Sequence, residues 1–328
     1  MSDSDFSVVG ARVALKEDLE RRSLGGLQFP LGVFPCGADS QMQEGYESRA
    51  QLGAPGLSDH IEYRVLLSPA KLSLLFGTLL DELMPSEVFG IYEEFSFDAF
   101  RDTDSYMSSD AVPLERLKGA WTTYRDFIVE DGKTGFGAVS FDPCLELFIE
   151  EHGCLYISGA VEYAARIEAL LEANNVQEVA TLRTIDNFEH QHREILRVEE
   201  EDDSTMDEVD VKFSIIESLG MVPSNRDEGI PDALPTPYWV QVELDLTFKA
   251  DSVATGAYVS YGVTADSYDE AIALVEKQLL NIQGALLARF LDVYRIAESN
   301  ISDDICPADR SLLTEIGLWF NGELQLWV

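Results

Sequence analysis

The strongest constraint on the fold is an unbroken alternation of apolar and polar residues from Tyr238 to Phe248. One face of this stretch carries Val240, Val242, Leu244, Leu246 and Phe248, and the other carries Trp239, Gln241, Glu243, Asp245 and Thr247. A period of two with one apolar face is typical of an antiparallel strand that has one face buried and one in water. The sequence therefore predicts a sheet here.

The residues after this strand extend the prediction to a whole domain. Residues 256–264 predict a second strand, and Asp266-Ser267 predicts the cap of a helix from Tyr268. A further helix is expected over 283–297. Asn321-Gly322 lies between two apolar stretches, which indicates a closing β-hairpin. Together these features predict a smaller α+β domain over residues 238–328.

Residues 59–198 interleave strand and helix patterns in the same way. Strands are predicted at 61–65, 87–97, 135–141, 145–150, 154–158 and 178–185, and helices at 70–84, 113–130 and 161–173. Helices that fall between strands of an antiparallel or mixed sheet favour α+β two-layer sandwiches with helices on one face. The order loosely resembles a ferredoxin-like split βαβ arrangement.

Two other segments lack such patterns. Residues 1–58 are punctuated by glycine and proline, which predicts an irregular N-terminal segment. Residues 199–210 hold eight acids and no base, and four prolines follow between Pro223 and Pro237. Like-charge runs are usually solvated, so 199–237 is predicted to be an acidic, proline-rich connection with one apolar element at Val211–Ile216.

Charge limits the partners of this chain. The chain has 60 Asp and Glu residues against 23 Lys and Arg residues, a formal net charge of -37. Nucleic-acid affinity comes largely from basic side chains that neutralise phosphates, so nucleic acid and anionic membranes are not expected as partners. A basic protein is a compatible partner, because opposite charge accelerates association. Sheet edges also offer a route to a homo-oligomer.

Composition and the N-terminus indicate a cytoplasmic globular protein. The chain is 46% hydrophobic, and it begins Met-Ser-Asp-Ser-Asp without the basic start and apolar run of a secretory signal. Its four cysteines, at 36, 144, 154 and 306, are expected to be free thiols.

One pair of histidines could bind a metal ion. His190 and His192 would project to the same face of a strand, where Zn²⁺ could bind with Glu189 or Asp186 nearby, whereas on a helix they would diverge. A strand at 188–193 with His60 or His152 close by would favour this hypothesis. Solvent-facing histidines are the simpler interpretation.

Other signatures of catalysis are weak. Cys36 would need a histidine brought close in space to act as a nucleophile, and the sequence has neither a Gly-x-Ser-x-Gly nucleophile motif nor a glycine-rich phosphate loop. The sequence therefore favours a non-catalytic binding module without a cofactor. Two alternatives stay open. One is a metal-dependent hydrolase that uses His190 and His192 with nearby carboxylates, and the other is an inhibitor or immunity-type binder of a basic protein.

Overall fold

The computed structural model describes residues 12–36, 42–51, 59–197, 205–224, 235–246 and 256–327. The chain divides into two compact units. Unit 1 contains residues 1–94 and 105–224, and unit 2 contains residues 95–104 and 225–328. Both units combine helices with antiparallel sheets, so the mixed helix and strand content expected from the sequence is present.

Unit 1 contains one large sheet and two two-stranded sheets. Its strands are β1 (Ser23–Leu24), β2 (Leu27–Gln28), β3 (Val33–Pro35), β4 (Gly45–Gln51), β5 (His60–Leu66), β6 (Glu87–Phe95), β7 (Thr103–Ser108), β8 (Val112–Pro113), β9 (Thr134–Phe141), β10 (Cys144–Ile149), β11 (Cys154–Ala160), β12 (His190–His192) and β13 (Met221–Pro223). Its helices are α1 (Pro69–Leu83), α2 (Leu114–Asp131), α3 (Ala164–Ala173) and α4 (Glu208–Leu219). The large sheet has the order β13-β7-β6-β9-β10-β11-β5-β4, and β8 pairs with β6.

The predicted elements of this unit follow from local sequence. Helix α1 begins with Ser68 at the cap and Pro69 in the first turn, positions that these residues favour, and covers most of the helix predicted over 70–84. Strands β9, β10 and β11, predicted at 135–141, 145–150 and 154–158, form an antiparallel meander. Apolar side chains from the four helices and from the strands share one core, including Phe76, Trp121 and Phe136.

One expectation for this part of the chain is wrong. Residues 178–185 form no strand, and Glu178 makes only an isolated bridge to Tyr46. The N-terminal segment is less irregular than its glycines suggest, because β4 pairs along the whole of β5. The apolar element expected at Val211–Ile216 is present as part of the helix α4, and its Val211 and Ile215 are fully buried in the unit 1 core. Residues 199–204 of the acidic run lie outside the described residues, as do 225–234 of the proline-rich stretch.

Unit 2 has a five-stranded sheet and one long helix. Its elements are β14 (Thr236–Leu246), β15 (Gly256–Ala265), α5 (Tyr268–Leu279), β16 (Ala285–Arg295), β17 (Gly317–Asn321) and β18 (Gln325–Trp327). The order is β16-β14-β15-β17, and β18 also pairs with β15. The alternation along β14 is confirmed, because Val240, Val242 and Leu244 are fully buried.

The helix predicted over 283–297 is a strand. Gly284 adopts a left-handed φ of 74°, which interrupts the helical path, and β16 then pairs along the whole length of β14. A short apolar stretch fits either a helix or a strand, and here pairing with a neighbouring strand decides between them.

The predicted closing hairpin does not form. Strands β17 and β18 lie one after the other along the same edge of β15 instead of pairing with each other. Gly322, between them, donates its N–H to the Ser260 carbonyl at 2.9 Å, so the Asn-Gly pair continues the edge where a two-residue turn was expected.

The finer, ferredoxin-like arrangement is not confirmed by these strand orders. Among the described helices, none is both long and apolar enough to cross a lipid bilayer.

Candidate metal centre

Two histidines come from the short strand β12, which pairs antiparallel with β3. His190 lies opposite Pro35, and His192 lies opposite Val33. Alternation along the strand directs both imidazoles to the same side, and their ring centroids are 5.0 Å apart. This is the strand arrangement in which, on the sequence argument, the two imidazoles could bind the same metal ion.

A third histidine comes from the turn between β10 and β11. His152 precedes Gly153, whose φ of 77° lets the chain reverse tightly. The His152 side chain is buried, and its ring centroid lies 4.6 Å from that of His190 and 5.4 Å from that of His192. One potential ligand atom from each of the three rings lies within 4.8 Å of the other two.

Each of the three rings also has a partner away from the cluster. Asp186, in a 3₁₀ turn at Ile185–Asn187, holds a carboxylate oxygen 2.5 Å from His152 Nδ1. His190 Nδ1 lies 2.9 Å from the Phe188 carbonyl oxygen. Burial lowers the pKa of His192, and an interaction of its ring with the backbone of Gly132 partly opposes that effect.

These partners fix which nitrogens carry hydrogen in two of the rings. A carbonyl oxygen only accepts, and hydrogen bonding to His152 keeps the pKa of Asp186 below its ordinary value, so that carboxylate also only accepts. Both Nδ1 atoms therefore donate. In the neutral rings the two Nε2 atoms then carry lone pairs, and these atoms lie only 3.0 Å apart.

Two lone pairs at that distance repel each other unless a cation lies between or beside them. A proton shared by the rings would satisfy them, and so would a metal ion. With Zn–N bonds of about 2.0–2.1 Å, two nitrogens of a tetrahedral site are about 3.3 Å apart, close to the separation of these atoms. The donor set fits a metal of the zinc type, for which imidazole is a favoured ligand.

The electrostatic environment differs between the rings. Burial lowers the pKa of His152, but the hydrogen bond and the charge of Asp186 outweigh burial and leave that pKa above its ordinary value. Burial, with the positive charges of His152 and His190, lowers the pKa of His192 to about 4. His192 is therefore neutral at pH 7, as a metal ligand must be.

A carboxyl group adjoins the cluster. Glu150, His152 and Asp186 form a second group of three whose ligand atoms lie within 4.8 Å of one another. Burial, followed by the charges of Asp186 and Glu151, raises the pKa of Glu150 to about 7. Its Oε1 atom accepts the Cys154 backbone N–H at 3.0 Å, so the carboxyl group is held in place.

The structure brings together only part of the set expected from the sequence. His190, His192 and Asp186 lie at the cluster, but Glu189 is exposed and belongs to neither group, because neighbouring residues of an extended chain point to opposite sides. His60 pairs with Ala160 at the far end of β11 from Cys154, about 20 Å along the strand. Cys36 donates its backbone N–H to the Glu189 carbonyl. It follows Pro35, the residue opposite His190, and so does not lie opposite either histidine of β12.

Sequence reasoning named His152 only as one of two alternatives. It is 38 residues from His190, and no motif spacing connects a hairpin turn with a distant three-residue strand. The only local signal is the His152-Gly153 pair, which favours a turn.

Comparison with known proteins gives no independent identification. No protein-family model matches the chain, and neither the curated proteins nor the solved structures searched include a match. The chemistry of the cluster is therefore the basis for function.

Proposed function

We propose that unit 1 binds one divalent transition-metal ion, with zinc as the best fit, through His152, His190 and His192. One observation carries this proposal: the Nδ1 atoms of His152 and His190 are each held by an acceptor outside the three rings, which leaves their Nε2 atoms 3.0 Å apart, and His192 places a potential ligand atom within 4.8 Å of both rings. Metal-binding histidines are usually held in this way, by a carboxylate or a backbone carbonyl. Surface histidines have no need of it.

Three protein ligands favour a catalytic centre over a purely structural one. Structural zinc sites usually have four protein ligands, whereas catalytic sites have three and leave a position for water or substrate. A bound ion of this kind lowers the pKa of its water and polarises carbonyl or phosphoryl oxygens. Metal-dependent hydrolysis is the reaction class that this geometry supports best, ahead of the non-catalytic module favoured by the sequence.

The chain's own residues have separable roles in this proposal. Asp186 holds the tautomer of His152 and makes its Nε2 a better ligand. The Phe188 carbonyl does the same for His190. Glu150, kept by its backbone hydrogen bond beside His152, is a carboxyl group that could exchange protons with a substrate or water at the centre.

Metal analysis of the tag-free protein tests the proposal. After incubation with Zn²⁺ and dialysis, we expect about one ion per chain. We expect that ion to be lost in His152→Ala, His190→Ala and His192→Ala. His60→Ala is the matched control, because it removes the fourth histidine of the chain from a position outside the cluster. Absence of bound metal in the wild type, or equal loss in His60→Ala, would contradict the proposal.

Activity is a separate measurement. The metal-loaded protein would be incubated with chromogenic phosphate monoesters, phosphodiesters and carboxylate esters. Turnover that requires the ion and disappears in His192→Ala would support hydrolysis. Bound metal without turnover on any of these substrates would favour a structural or binding role for the ion.

The charge of the chain supports a second candidate function, the binding of a basic protein. A net charge of -37 would accelerate association with a positively charged partner. With poly-lysine as a probe, the association rate should fall steeply as ionic strength increases. A rate that does not change with salt would exclude this function.

A further inference from the structure

We infer that Asp131 is a positioning residue for the proposed metal centre, acting on His192 through Gly132. This inference rests on the proposed function. It concerns a carboxyl group that is not a ligand and that lies at the last residue of α2.

The carboxylate of Asp131 ties the turn that follows the helix. Its Oδ2 atom accepts the Thr134 hydroxyl at 2.8 Å and the Lys133 backbone N–H at 3.2 Å. The residue is 1% exposed, so water does not compete for these hydrogen bonds. Residues 131–134 are consequently held in one conformation.

Gly132 lies inside this turn. It ends α2 in the left-handed conformation, with φ of 74°, which fixes the direction of its carbonyl group. A Cβ atom at Gly132 would lie 2.4 Å from Val33 Cγ2, and Val33 is the residue opposite His192 in the β3–β12 pair. The backbone of Gly132 also interacts with the His192 ring. A change in the turn would therefore move the backbone that packs beside His192.

The same helix end also supports the strand that carries His192. Gly32 donates its N–H to the Glu130 carbonyl at 2.7 Å, and its own carbonyl accepts the Arg193 N–H at 2.8 Å. The next residue, Val33, lies opposite His192 in the β3–β12 pair. The end of α2 thus contacts His192 in two ways: through the backbone of the strands that hold this residue, and through the His192 ring.

An ionised carboxyl group is unfavourable at this position. Burial raises the pKa of Asp131 to about 6, while the Thr134 hydrogen bond and the Lys133 charge partly oppose that effect and the Glu208 charge adds to it. Ionisable groups whose pKa is shifted by burial are concentrated at functional sites. Because the charge of Asp131 is unfavourable here, its favourable contribution to the turn is the two hydrogen bonds that it accepts.

Binding of Co²⁺ to the full-length protein tests the inference, because the visible absorption of Co²⁺ reports ligand geometry as well as affinity. Asp131→Ala should weaken binding by about 10–100-fold, as loss of an outer hydrogen-bonding partner usually does, and should shift the absorption bands. Asp131→Asn should bind within about threefold of the wild type, since its amide oxygen can accept the same two hydrogen bonds. Asp126→Ala removes an exposed acid of the same helix and is the matched control.

Thr134→Val serves as a second variant if Asp131→Ala does not fold. It removes one of the two donors and should weaken Co²⁺ binding in the same direction. Wild-type affinity and spectrum in Asp131→Ala or in Thr134→Val would overturn the inference and leave the proposed function intact. Equal losses in Asp131→Asn and Asp131→Ala would also overturn it. Failure of the wild type to bind Co²⁺ would overturn both.

Discussion

Asp98 and Arg295 form an ion pair that is almost completely removed from solvent, with side-chain exposures of 1% and 0%. Arg295 Nη2 lies 2.8 Å from Asp98 Oδ1, and the Arg295 backbone N–H donates to Oδ2 at 2.9 Å. Arg101 approaches the same carboxylate at 3.2 Å. Asp98 therefore compensates the buried guanidinium group of Arg295 and shares that of Arg101 with Asp104, whose Oδ1 atom lies 2.5 Å from Arg101 Nη2.

Asp98→Ala should strongly destabilise unit 2. Removal of one partner of a buried pair leaves the other charge uncompensated, and the expected loss is about 3–5 kcal/mol in the free energy of unfolding. Urea unfolding followed by tryptophan fluorescence would measure it. Glu298→Ala breaks the exposed pair with Arg310 and should lose less than about 1 kcal/mol. Similar losses in both variants would contradict this prediction.

The pH dependence of stability should change in Asp131→Asn. The folded pKa of Asp131 is raised to about 6 from a reference value of 3.8, so the folded state takes up a proton more readily than the unfolded state. This residue therefore makes stability fall as pH rises from about 4 to about 6. The stability of Asp131→Asn relative to the wild type should be more favourable at pH 8 than at pH 4, by about 2–3 kcal/mol. Urea unfolding at both pH values measures this difference, and a difference independent of pH would contradict it.

Gly32→Ala and Gly119→Ala should act in opposite directions. A Cβ atom at Gly32 would lie 1.6 Å from the Asp131 carbonyl oxygen, so β3 would have to separate from the end of α2. Gly119 lies inside α2 with no other atom within 4 Å of a Cβ, so alanine should stabilise the helix by about 0.5–1 kcal/mol. Thermal unfolding would show a lower Tm for the first variant and a higher one for the second. A Tm for Gly32→Ala that equals the wild-type value would show that the contact is not tight.

Metal binding should stabilise unit 1. An ion that binds only the folded state at 100 times its Kd adds about 2.7 kcal/mol to the free energy of unfolding. Urea unfolding with and without Zn²⁺ would measure this gain, which should be absent in His190→Ala and present in His60→Ala. A gain that persists in His190→Ala would indicate that zinc binds elsewhere.

Local patterns in the sequence predicted four of the five described α-helices and several of the longer strands, but not how the strands pair. The alternation along β14 is a local signal that the structure confirms. The stretch that became β16 has no pattern that separates a strand from a helix, and its pairing with β14 decided the outcome. The edge position of β17 and β18 depends equally on a neighbour that is distant in the sequence.

The candidate site was predictable only in part for the same reason. His190 and His192 share a strand, so their common direction follows from period two. The approach of His152 depends on the position of the β10–β11 turn beside β12, and His192 interacts with the backbone of Gly132, which no side-chain pattern reveals. Sites assembled from three segments leave no motif.

The assignment of residues 95–104 to unit 2 has a practical consequence for dissecting this protein. The polypeptide passes between the two units three times, so no single cut yields both of them intact. A fragment that starts at residue 225 would contain Arg295 and lack Asp98. An independently expressed second unit would need the decapeptide supplied through an engineered connection, and the first unit would need a short bridge from Glu94 to Ser105.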